Sequence, residues 1–523
     1  MFNLLIKNGQ IIDGTENLGY YAAIGIESDK LRIIRGDVSS VQAKEIIDAK
    51  GRVVCPGFID AHTHCGLLPL ANPRHEPKLF QGITTEYIGI DGIAWAPVSS
   101  YEDLQKHIRL YTAADGAPPL TQRWLSVAEF LAHFDNKVSC NVIYFIGNNP
   151  LRSATVGWED RRASKEEINQ MKALISQGME EGAYGLSTGL DYPPGSYADT
   201  DELVELCKEA NKLGGIYHTH VRYTLGDKFL DPYLEALEIA RRSGIAVHLT
   251  HVYQRLPIRG GHYKLLEMID GARNEGLDVT FDNQPYNLAS GLLILAFPQW
   301  ARSSGPDAFL ERLQSVKERK RMESEVVPPF GTWQEWWLTN FEKPHNKRWE
   351  GKSVAEIVEA VGKSVIDTLC DLLIDEDLRI SYVVAGFNPA TQPIFIQHPA
   401  WMLGTDSILL GDYPNPRSYG SFPYILGNTV REERFLTLPE AIRKMTSAAA
   451  QRVGLKDRGI IKDGFKADVV IFDPEIVHAR ATHRQPKQYP VGIDYVIVNG
   501  IIVAAHGKHT GALPGRALRR GQD

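Results

Sequence analysis

The chain has few cysteines and no long hydrophobic segment. Its five cysteines, among 523 residues, are an odd number without a Cys-x-x-Cys pair. This argues against a disulfide framework or a structural zinc module and favours reduced thiols in the cytoplasm. The start, MFNLLIKNGQIIDG, is too soon interrupted for a signal peptide. The later run LLILAF at 292–297 is far shorter than the roughly 20 residues of a membrane span. We expect a cytoplasmic protein without a membrane partner.

The sequence also lacks an excess of positive charge. It has 57 basic against 64 acidic residues and a net charge of -7, with no basic patch interleaved with aromatic residues. We therefore expect no nucleic-acid partner and a small-molecule ligand. The sequence leaves the oligomeric state open, a homo-oligomer included.

Strand signals occupy both ends of the chain. Segments such as LLIKNGQIID and KLRIIRG near the start, and ADVVIFDPE and YVIVNGIIVAAHG near the end, are separated by Gly, Asn and Asp turns. We predict that residues 1–55 and 455–523 pair into one small β-sandwich domain. The residues between them then form an inserted domain.

The central part, residues 56–454, alternates short apolar strands with amphipathic helices, as in DPYLEALEIARRSG followed by IAVHLTHVY. This alternation predicts an α/β fold with a parallel sheet, either a (β/α)8 barrel or an open doubly wound sheet. Because no G-x-G-x-x-G fingerprint follows a strand, we favour the barrel. Residues at about 290–400, with WQEWWLTNF and later helix signals, predict a helical insertion. It is either a lid over the barrel mouth or additional packing.

Metal-ligand side chains occur at five predicted strand ends. In a barrel the C-terminal strand ends meet at one rim, which holds the active site. Imidazole and carboxylate ligands together suit Zn²⁺ or a similar divalent ion, and two ions can share a carboxylate. We therefore predict one or two zinc ions, or another divalent metal. The candidates are His62 and His64 in IDAHTH, Asp91 in YIGIDG, His220 in IYHTH, His251 in VHLTH, and Asp406 in LGTDS.

These ligands divide into two predicted sites. His62 and His64 have the same strand parity, so they are expected to hold one ion as a pair. His220 and His251 are expected to hold the second ion, with Asp91 as a ligand or bridge. In addition, Asp406 could ligate the first ion and take the proton from the attacking water.

Two further histidines are expected to lie outside the ligand set. His218 has the same strand parity as His220, and we interpret it as a structural residue one layer deeper. His248 has the opposite parity to His251 and is expected to face the helices.

With longer motifs around these residues, the chain resembles the amidohydrolase superfamily and, within it, the N-acyl-D-amino acid deacylases, also called D-aminoacylases. The motifs extend over nearly the whole chain and include PGFIDAHTH, QGITTEYIG, AYGLSTGLDYPPGSYADTDEL, YHTHVR, NPRSYGSFPYILG and HTGALPGRALRR. The resemblance implies a (β/α)8 barrel with a small β domain built from both termini. It implies hydrolysis of an N-acyl-D-amino acid to a carboxylic acid and a D-amino acid, with the four histidines as ligands and Asp406 as the catalytic base.

For the substrate, the resemblance implies that Tyr192 of GLDYPPG and Arg417 of NPRS bind the amino acid carboxylate. A guanidinium presents a fork that matches a carboxylate. The chain departs from the family at Asp91, where GNCG has Cys, at Tyr253, where Lys is frequent, and at Gln284, where YPY has Tyr. We include Tyr253 and Gln284 among the predicted substrate-binding residues. Because the Asp91 carboxylate is a harder ligand than a thiolate, it favours more equal occupancy of the two sites or a metal other than zinc.

The departures at Tyr253 and Gln284 leave an alternative open. The chain could be an amidohydrolase of another amide, such as a cyclic amide, a dipeptide or a non-amino-acid amide. A barrel that has lost catalysis and serves as a scaffold is a third interpretation. Since every expected ligand position holds a competent residue, an enzyme is favoured over a scaffold.

Overall fold

The computed structural model describes residues 1–254, 260–329 and 331–522. All residues of the predicted insertion except Phe330 are therefore described, and so are all residues of the C-terminal segment except Asp523. The chain begins with five strands joined by short turns. They are β1 Phe2–Ile11, β2 Tyr20–Glu27, β3 Lys30–Ile34, β4 Ala43–Asp48 and β5 Val53–Pro56.

Almost completely buried strands follow, in alternation with helices. The strands are β6 Phe58–Asp60, β7 Ile83–Ile88, β8 Asn141–Tyr144, β9 Ile146–Gly147, β10 Gly185–Gly189, β11 Ile216–His220, β12 Ala246–Leu249 and β13 Val279–Asn283. The helices are α1 Leu68–Ala71, α2 Glu76–Leu79, α3 Tyr101–Leu110, α4 Thr112–Asp115, α5 Val127–Leu131, α6 Asn148–Thr155, α7 Lys165–Glu180, α8 Thr200–Lys212, α9 Asp231–Ser243 and α10 Gly261–Asn274. Burial on both faces is typical of parallel strands covered by helices.

Local signals set the ends of the longer helices. Ser164 and Glu167 form a capping box at the start of α7, and the side chain of Asp199 caps α8. Gly244 ends α9 in a left-handed conformation, which glycine adopts without steric cost. The helices thus begin and end near the limits of the amphipathic segments.

The insertion contains strands as well as helices. Its elements are β14 Leu288–Leu292, α11 Gly305–Gln314, α12 Val316–Met322, β15 Trp336–Thr339, α13 Val354–Val361, α14 Val365–Asp375, β16 Ser381–Ala385 and α15 Gln392–Gln397. Strands β14, β16 and β15 form an antiparallel sheet, in which Trp336 stacks on Tyr382 with ring centroids 3.8 Å apart. The helical prediction is thus wrong for residues 336–339, because their aromatic and β-branched side chains pack against a neighbouring strand.

Parallel pairing connects the buried strands into what we call the parallel ring. The last member is β17 Trp401–Leu403, which is followed by α16 Arg417–Tyr424, a π-helix at Ile425–Glu432, α17 Leu438–Met445 and α18 Ser447–Arg452. Strands β6, β7 and β8 pair in that order, and so do β9 to β13 and then β17. Phe145 separates β8 from β9, and the amide of Ala61 donates to the carbonyl of Leu403 at 3.2 Å. The fold is therefore α/β, with the C-terminal strand ends on one side of the ring.

The final strands return to the strands at the start of the chain. They are β18 Val469–Phe472, β19 Ile493–Val498, β20 Ile501–Ala505, β21 Lys508–His509 and β22 Ala517–Leu518. Strand β18 pairs with β5, so β1–β5 and β18–β21 form one nine-stranded sheet, while β22 pairs with β8. The long β1 pairs with both β4 and β5, so hydrogen bonding links all nine strands; their packing as a sandwich stays a prediction. Among the described residues, no helix is long and apolar enough to cross a membrane.

A buried ammonium group joins the first and last strands of the parallel ring. Lys78 on α2 donates to the Asp60 carboxylate, to the Thr405 hydroxyl at 2.7 Å and to the Ser407 hydroxyl at 2.8 Å. Asp60 also accepts the backbone N–H of Thr405 at 2.9 Å. All four residues are buried. Removing one partner of a buried ion pair leaves the other charge uncompensated, so this network stabilises the closure of the ring.

Replacing Lys78 with methionine tests this closure. We expect Lys78→Met to lower the free energy of unfolding by about 3–5 kcal/mol, because Asp60 loses its cation. Urea denaturation measures the change. The control is Lys208→Met, which breaks an exposed pair with Glu205 and should cost less than about 1 kcal/mol. Equal, small changes in both variants would contradict the proposed role of Lys78.

Candidate metal centre

Four imidazoles surround one carboxylate at the C-terminal ends of the parallel strands. Asp91 Oδ2 lies 3.4 Å from His62 Nε2 and 3.5 Å from His251 Nε2. It lies 3.6 Å from both His64 Nε2 and His220 Nδ1. Asp91 is only 1% exposed. One buried oxygen atom is therefore shared by both halves of the predicted ligand set.

Two groups of candidate ligands meet at Asp91. One comprises His62, His64, Asp91 and Asp406, the other Asp91, His220 and His251, and within each group the ligand atoms lie within 4.8 Å of one another. Asp406 Oδ1 is 3.3 Å from His64 Nε2, and His220 Nδ1 is 3.1 Å from His251 Nε2. The structure thus brings together all six residues that the sequence predicts as metal ligands.

The atoms that face the middle of this cluster fit a divalent cation. Within the described part of the chain, His62 Nε2 and Asp91 Oδ1 are buried without a hydrogen-bond partner. Buried polar atoms are normally paired, so unpaired ones among converging imidazoles and carboxylates indicate a bound ligand. Nitrogen and oxygen donors of these types suit zinc and similar metals.

Carboxylates outside the cluster orient its histidines. His62 Nδ1 donates to Asp282 Oδ2 at 3.0 Å, which leaves Nε2 directed at Asp91. Asp282 also accepts the backbone N–H of His251 at 2.8 Å. Asp191 Oδ2 lies 3.1 Å from His220 Nε2. Carboxylates in such positions fix the tautomer of metal-binding histidines.

Asp282 and Asp191 are site residues absent from the sequence prediction. Asp282 lies near the C-terminal end of β13, so the strand-end criterion applied to the ligands also fits it. Asp191 belongs to the GLDYPPG motif, in which only Tyr192 is predicted as functional. Both carboxylates hydrogen-bond to a histidine instead of facing the centre. Their partners lie on or just beyond other strands, so the sequence alone does not show these contacts.

The charges around the cluster attract cations. Although burial opposes it, the carboxylates of Asp191 and Asp91 raise the pKa of His220 to about 9. Burial also opposes ionisation of Asp406, but Arg417 and His62 lower the pKa of Asp406 to about 2. A proton and a metal ion compete for the same imidazole nitrogen, so metal binding at this centre releases protons.

Three of the candidate ligands have a left-handed backbone conformation. The φ angles are 53° for Asp91, 38° for His251 and 49° for Asp406. Non-glycine residues rarely adopt such angles, and those that do are concentrated at functional sites. Each of the three lies just beyond a strand end, where the turn directs its side chain towards the cluster.

The prediction that His248 faces the helices is wrong. Its Nε2 atom lies 3.0 Å from Asp282 Oδ2, and its ring stacks on His218 with centroids 4.7 Å apart. His218 in turn packs edge-on against His62 at 5.6 Å. The parity argument fails because His251 lies beyond the end of β12 in a left-handed turn, where strand alternation no longer applies.

A cavity of about 550 Å³ opens onto the cluster, a size typical of small-molecule sites. Its wall includes members of both candidate metal-binding groups, although not His62, and residues of the insertion such as Leu292, Phe297 and Tyr382. The insertion therefore forms part of the site. Its movement as a lid stays a prediction.

Two of the four predicted substrate-binding residues line this cavity, Tyr192 and Tyr253. Tyr192 packs against His220 with ring centroids 4.9 Å apart. Tyr253 packs on Phe387 at 3.6 Å. One aromatic ring thus lies beside the metal ligands, and an aromatic pair forms a wall further out.

Arg417 and Gln284 are outside the set of described residues that line the cavity. Arg417 is 1% exposed, and its guanidinium binds Asp406 Oδ2 at 2.8 Å. Gln284 donates to the carbonyl of Leu288 at 3.0 Å and accepts the backbone N–H of Tyr286 at 2.7 Å. Arg417 therefore does not line the cavity but contacts Asp406, which does. The contacts of Gln284 stabilise the loop after β13.

The chain is similar to known amidohydrolases over most of its length. The model of the Amidohydrolase family matches residues 45–236 and 382–504. D-aminoacylase from Alcaligenes xylosoxydans xylosoxydans is 31% identical over 520 residues, covering 99% of this chain and 98% of that protein. The chain therefore belongs to the amidohydrolase family and, within it, to the N-acyl-D-amino acid deacylases. The resemblance seen in the sequence motifs is confirmed.

Solved structures with bound metals have the same fold. N-acyl-D-glutamate deacylase from Bordetella bronchiseptica, complexed with zinc and a phosphonate mimic of the tetrahedral intermediate, gives a TM-score of 0.83 at 28% identity over 99% of both chains. A D-aminoacylase with a binuclear metal centre gives 0.81 at 29% identity over 99% of this chain and 100% of that chain. Zinc and two-metal centres thus occur among the relatives of this chain.

Substitution of Asp282 tests how the histidines are oriented. We expect Asp282→Asn to weaken zinc binding about 10–100-fold, because a neutral amide with one acceptor oxygen replaces the carboxylate that binds both His62 and the backbone N–H of His251. Competition with a chromophoric chelator measures the affinity. Asp270→Asn, which alters a solvent-exposed carboxylate paired with His398, is the control and should bind zinc like the wild type. Unchanged affinity in Asp282→Asn would refute the positioning role.

Proposed function

We propose that this chain is a metal-dependent amidohydrolase that hydrolyses the amide bond of N-acyl-D-amino acids, giving a carboxylic acid and a D-amino acid. The observation that carries the proposal is Asp91 Oδ2, which lies 3.4–3.6 Å from one nitrogen of each of four histidines. This arrangement opens onto a cavity of about 550 Å³. Membership of the deacylase family and the zinc-bound relative support the same chemistry.

We assign the ligands as the sequence predicts. His62 and His64 would hold the first ion, with Asp406 as a further ligand, and His220 and His251 the second, with Asp91 between them. When bound, a divalent ion polarises the amide carbonyl and lowers the pKa of a water molecule to about 7. A metal-bound structure with the Asp91 carboxylate turned away from the centre would contradict this assignment.

Asp406 is the proposed general base. It lines the cavity, and its two oxygens have different neighbours: Oδ1 faces His64, and Oδ2 is held by Arg417. Its lowered pKa keeps the carboxylate ionised before the reaction. Asp406 would accept the proton of the attacking water and deliver it to the leaving nitrogen.

Tyr192 and Arg417 are proposed to bind the carboxylate of the amino acid. Tyr192 borders the cavity beside His220. Arg417 already binds Asp406, so a substrate carboxylate would have to share its guanidinium. Five N–H donors allow one guanidinium to bind two carboxylates.

A second candidate function is hydrolysis of another amide, such as a cyclic amide, a dipeptide or a non-amino-acid amide. The Tyr253–Phe387 pair makes an apolar wall where the family frequently has lysine. Gln284 is directed at its own loop. Both features reduce the positive and hydrogen-bonding groups available to a substrate carboxylate. A scaffold without catalysis is disfavoured, because all six ligand positions are competent and converge.

The architecture proposed for this enzyme is a (β/α)8 barrel of residues 56–454 with a small β domain of residues 1–55 and 455–523. The circuit of parallel pairings supports the barrel, and the nine-stranded sheet with its own apolar cluster supports the β domain. We retain the predictions of a cytoplasmic location, a small-molecule ligand and no nucleic-acid partner. The oligomeric state is open, a homo-oligomer included.

A substrate panel separates the two candidate functions. We expect zinc-loaded protein to hydrolyse N-acetyl-D-amino acids and to leave their L-enantiomers intact. Release of the free amino acid, detected with an amine reagent, measures turnover. Hydantoins, dipeptides and simple N-acylamines complete the panel. Hydrolysis of these compounds alone would overturn the deacylase proposal in favour of the second candidate.

The variant Asp406→Asn tests the role of Asp406 as the general base. We expect Asp406→Asn to lower kcat by about 10²–10⁴-fold, because the amide cannot accept the proton, while the protein still binds metal. Metal analysis and turnover are measured on the same sample. The control is Asp412→Asn, a change in an exposed carboxylate paired with lysines, which should leave turnover unchanged. Retained turnover in Asp406→Asn would refute the assigned role.

A further inference from the structure

A second group of metal-ligand side chains lies outside the centre described above. It consists of Cys65, His75 and Glu86, and we call it the Cys65 cluster. One ligand atom from each residue lies within 4.8 Å of the other two, and all three residues are buried. Glu86 is in the middle of β7, His75 precedes α2, and Cys65 follows the candidate ligand His64.

The polar atoms of the Cys65 cluster are not satisfied by the protein. Among the described residues, His75 Nε2 and both carboxylate oxygens of Glu86 have no hydrogen-bond partner. His75 is 3% exposed and Glu86 0% exposed. His75 Nε2 is 2.9 Å from Glu86 Oε2, an ion pair when His75 is protonated. Buried polar atoms normally have a hydrogen-bond partner, so these unpaired atoms indicate a bound ligand.

Lys78 does not supply that partner. Its ammonium lies 3.5 Å from Glu86 Oε1, but an ammonium has only three N–H donors. Those donors bind Asp60, Thr405 and Ser407. Although burial opposes it, His75 and Lys78 lower the pKa of Glu86, so an ionised carboxylate with two oxygens that lack a hydrogen-bond donor faces the cluster.

We propose that the Cys65 cluster binds a divalent metal ion, with zinc as the best match, at a site separate from the centre around Asp91. A thiolate, an imidazole and a carboxylate with two free oxygens supply four donor atoms of the types that zinc prefers. On binding, the Cys65 thiol loses its proton to solvent, and the ion is held by thiolate and carboxylate. Those two negative charges balance the dication, so the buried cluster is neutral overall.

The same side chains could instead form a buried ion pair between protonated His75 and Glu86. In that arrangement Cys65 only accepts a hydrogen bond from Thr63, at 3.1 Å, and takes no part in balancing the charge of Glu86. A metal ion accounts for all three side chains, since one ligand atom of each lies within 4.8 Å of the other two and those of His75 and Glu86 have no hydrogen-bond partner. The two arrangements differ in whether sulfur is a ligand.

Binding of Co²⁺ distinguishes the metal site from the ion pair. The candidate ligands around Asp91 are all nitrogen and oxygen atoms, so only the Cys65 cluster would supply sulfur. Thiolate bound to Co²⁺ gives a sulfur-to-metal charge-transfer absorption in the near ultraviolet, which nitrogen and oxygen ligands do not. We expect this band in full-length protein purified from cells grown with added Co²⁺. Total metal, counting residual zinc, is measured by mass spectrometry on the same sample.

Two variants and one control complete the test. We expect Cys65→Ser to lose the band and to contain one metal ion fewer per chain. His75→Gln, which keeps the thiol, should also lose one metal ion per chain. Cys207→Ser removes a buried thiol on α8 and should keep both the band and the metal content. Circular dichroism confirms folding of each variant.

The proposal fails if cobalt-containing wild-type protein shows no charge-transfer band and His75→Gln has unchanged metal content. It also fails if Cys65→Ser retains the band, since the sulfur ligand would then lie elsewhere. Deacylase turnover is not part of the readout, so the result is independent of the proposed function.

Discussion

The centre depends on the neutralisation of one buried carboxylate. Asp91 is 1% exposed, and an isolated ionised carboxylate in such a place costs many kcal/mol unless it is paired. Although burial opposes it, His62, with His220 and His251, holds the pKa of Asp91 well below its usual range. The four histidines can compensate Asp91 in two ways, by carrying protons or by binding metal ions. The protonated form and the metal-bound form both place positive charge next to the same Asp91 oxygen. The fold can therefore exchange protons for metal ions without leaving Asp91 uncompensated.

The topology explains why the convergence of the six candidate ligands was predictable. Parallel strands direct their C-terminal ends to one side, so residues separated by more than three hundred positions, such as His62 and Asp406, could be placed together from strand order alone. The alternation of strands and helices was sufficient for that step. It required no knowledge of side-chain contacts, and all six predicted ligands converge.

Other features do not follow from the local strand pattern. The left-handed turns at Asp91, His251 and Asp406 end strand alternation, so parity misplaced His248. The strand β15 forms because β16, about forty residues later, provides its partner. Gln284 is predicted as a substrate contact from its place in a motif, and in the structure its amide bonds to its own loop; its contact with substrate stays a prediction. Of these features only β15 depends on a partner distant in sequence; the turns and the Gln284 contacts are local, but they do not follow the strand pattern from which the predictions were made.

In the proposed mechanism, Arg417 would couple catalysis to substrate recognition. Its guanidinium contacts Asp406. Burial opposes ionisation of Asp406, and of the groups that lower its pKa, Arg417 has the largest effect. A substrate carboxylate that approached Arg417 would compete for the same positive charge and so make Asp406 a stronger base. Binding of the correct substrate would then increase the proton affinity of the group that must accept a proton. A neutral amide would lack this effect, so the Arg417–Asp406 pair favours anionic substrates through the base as well as through direct contact.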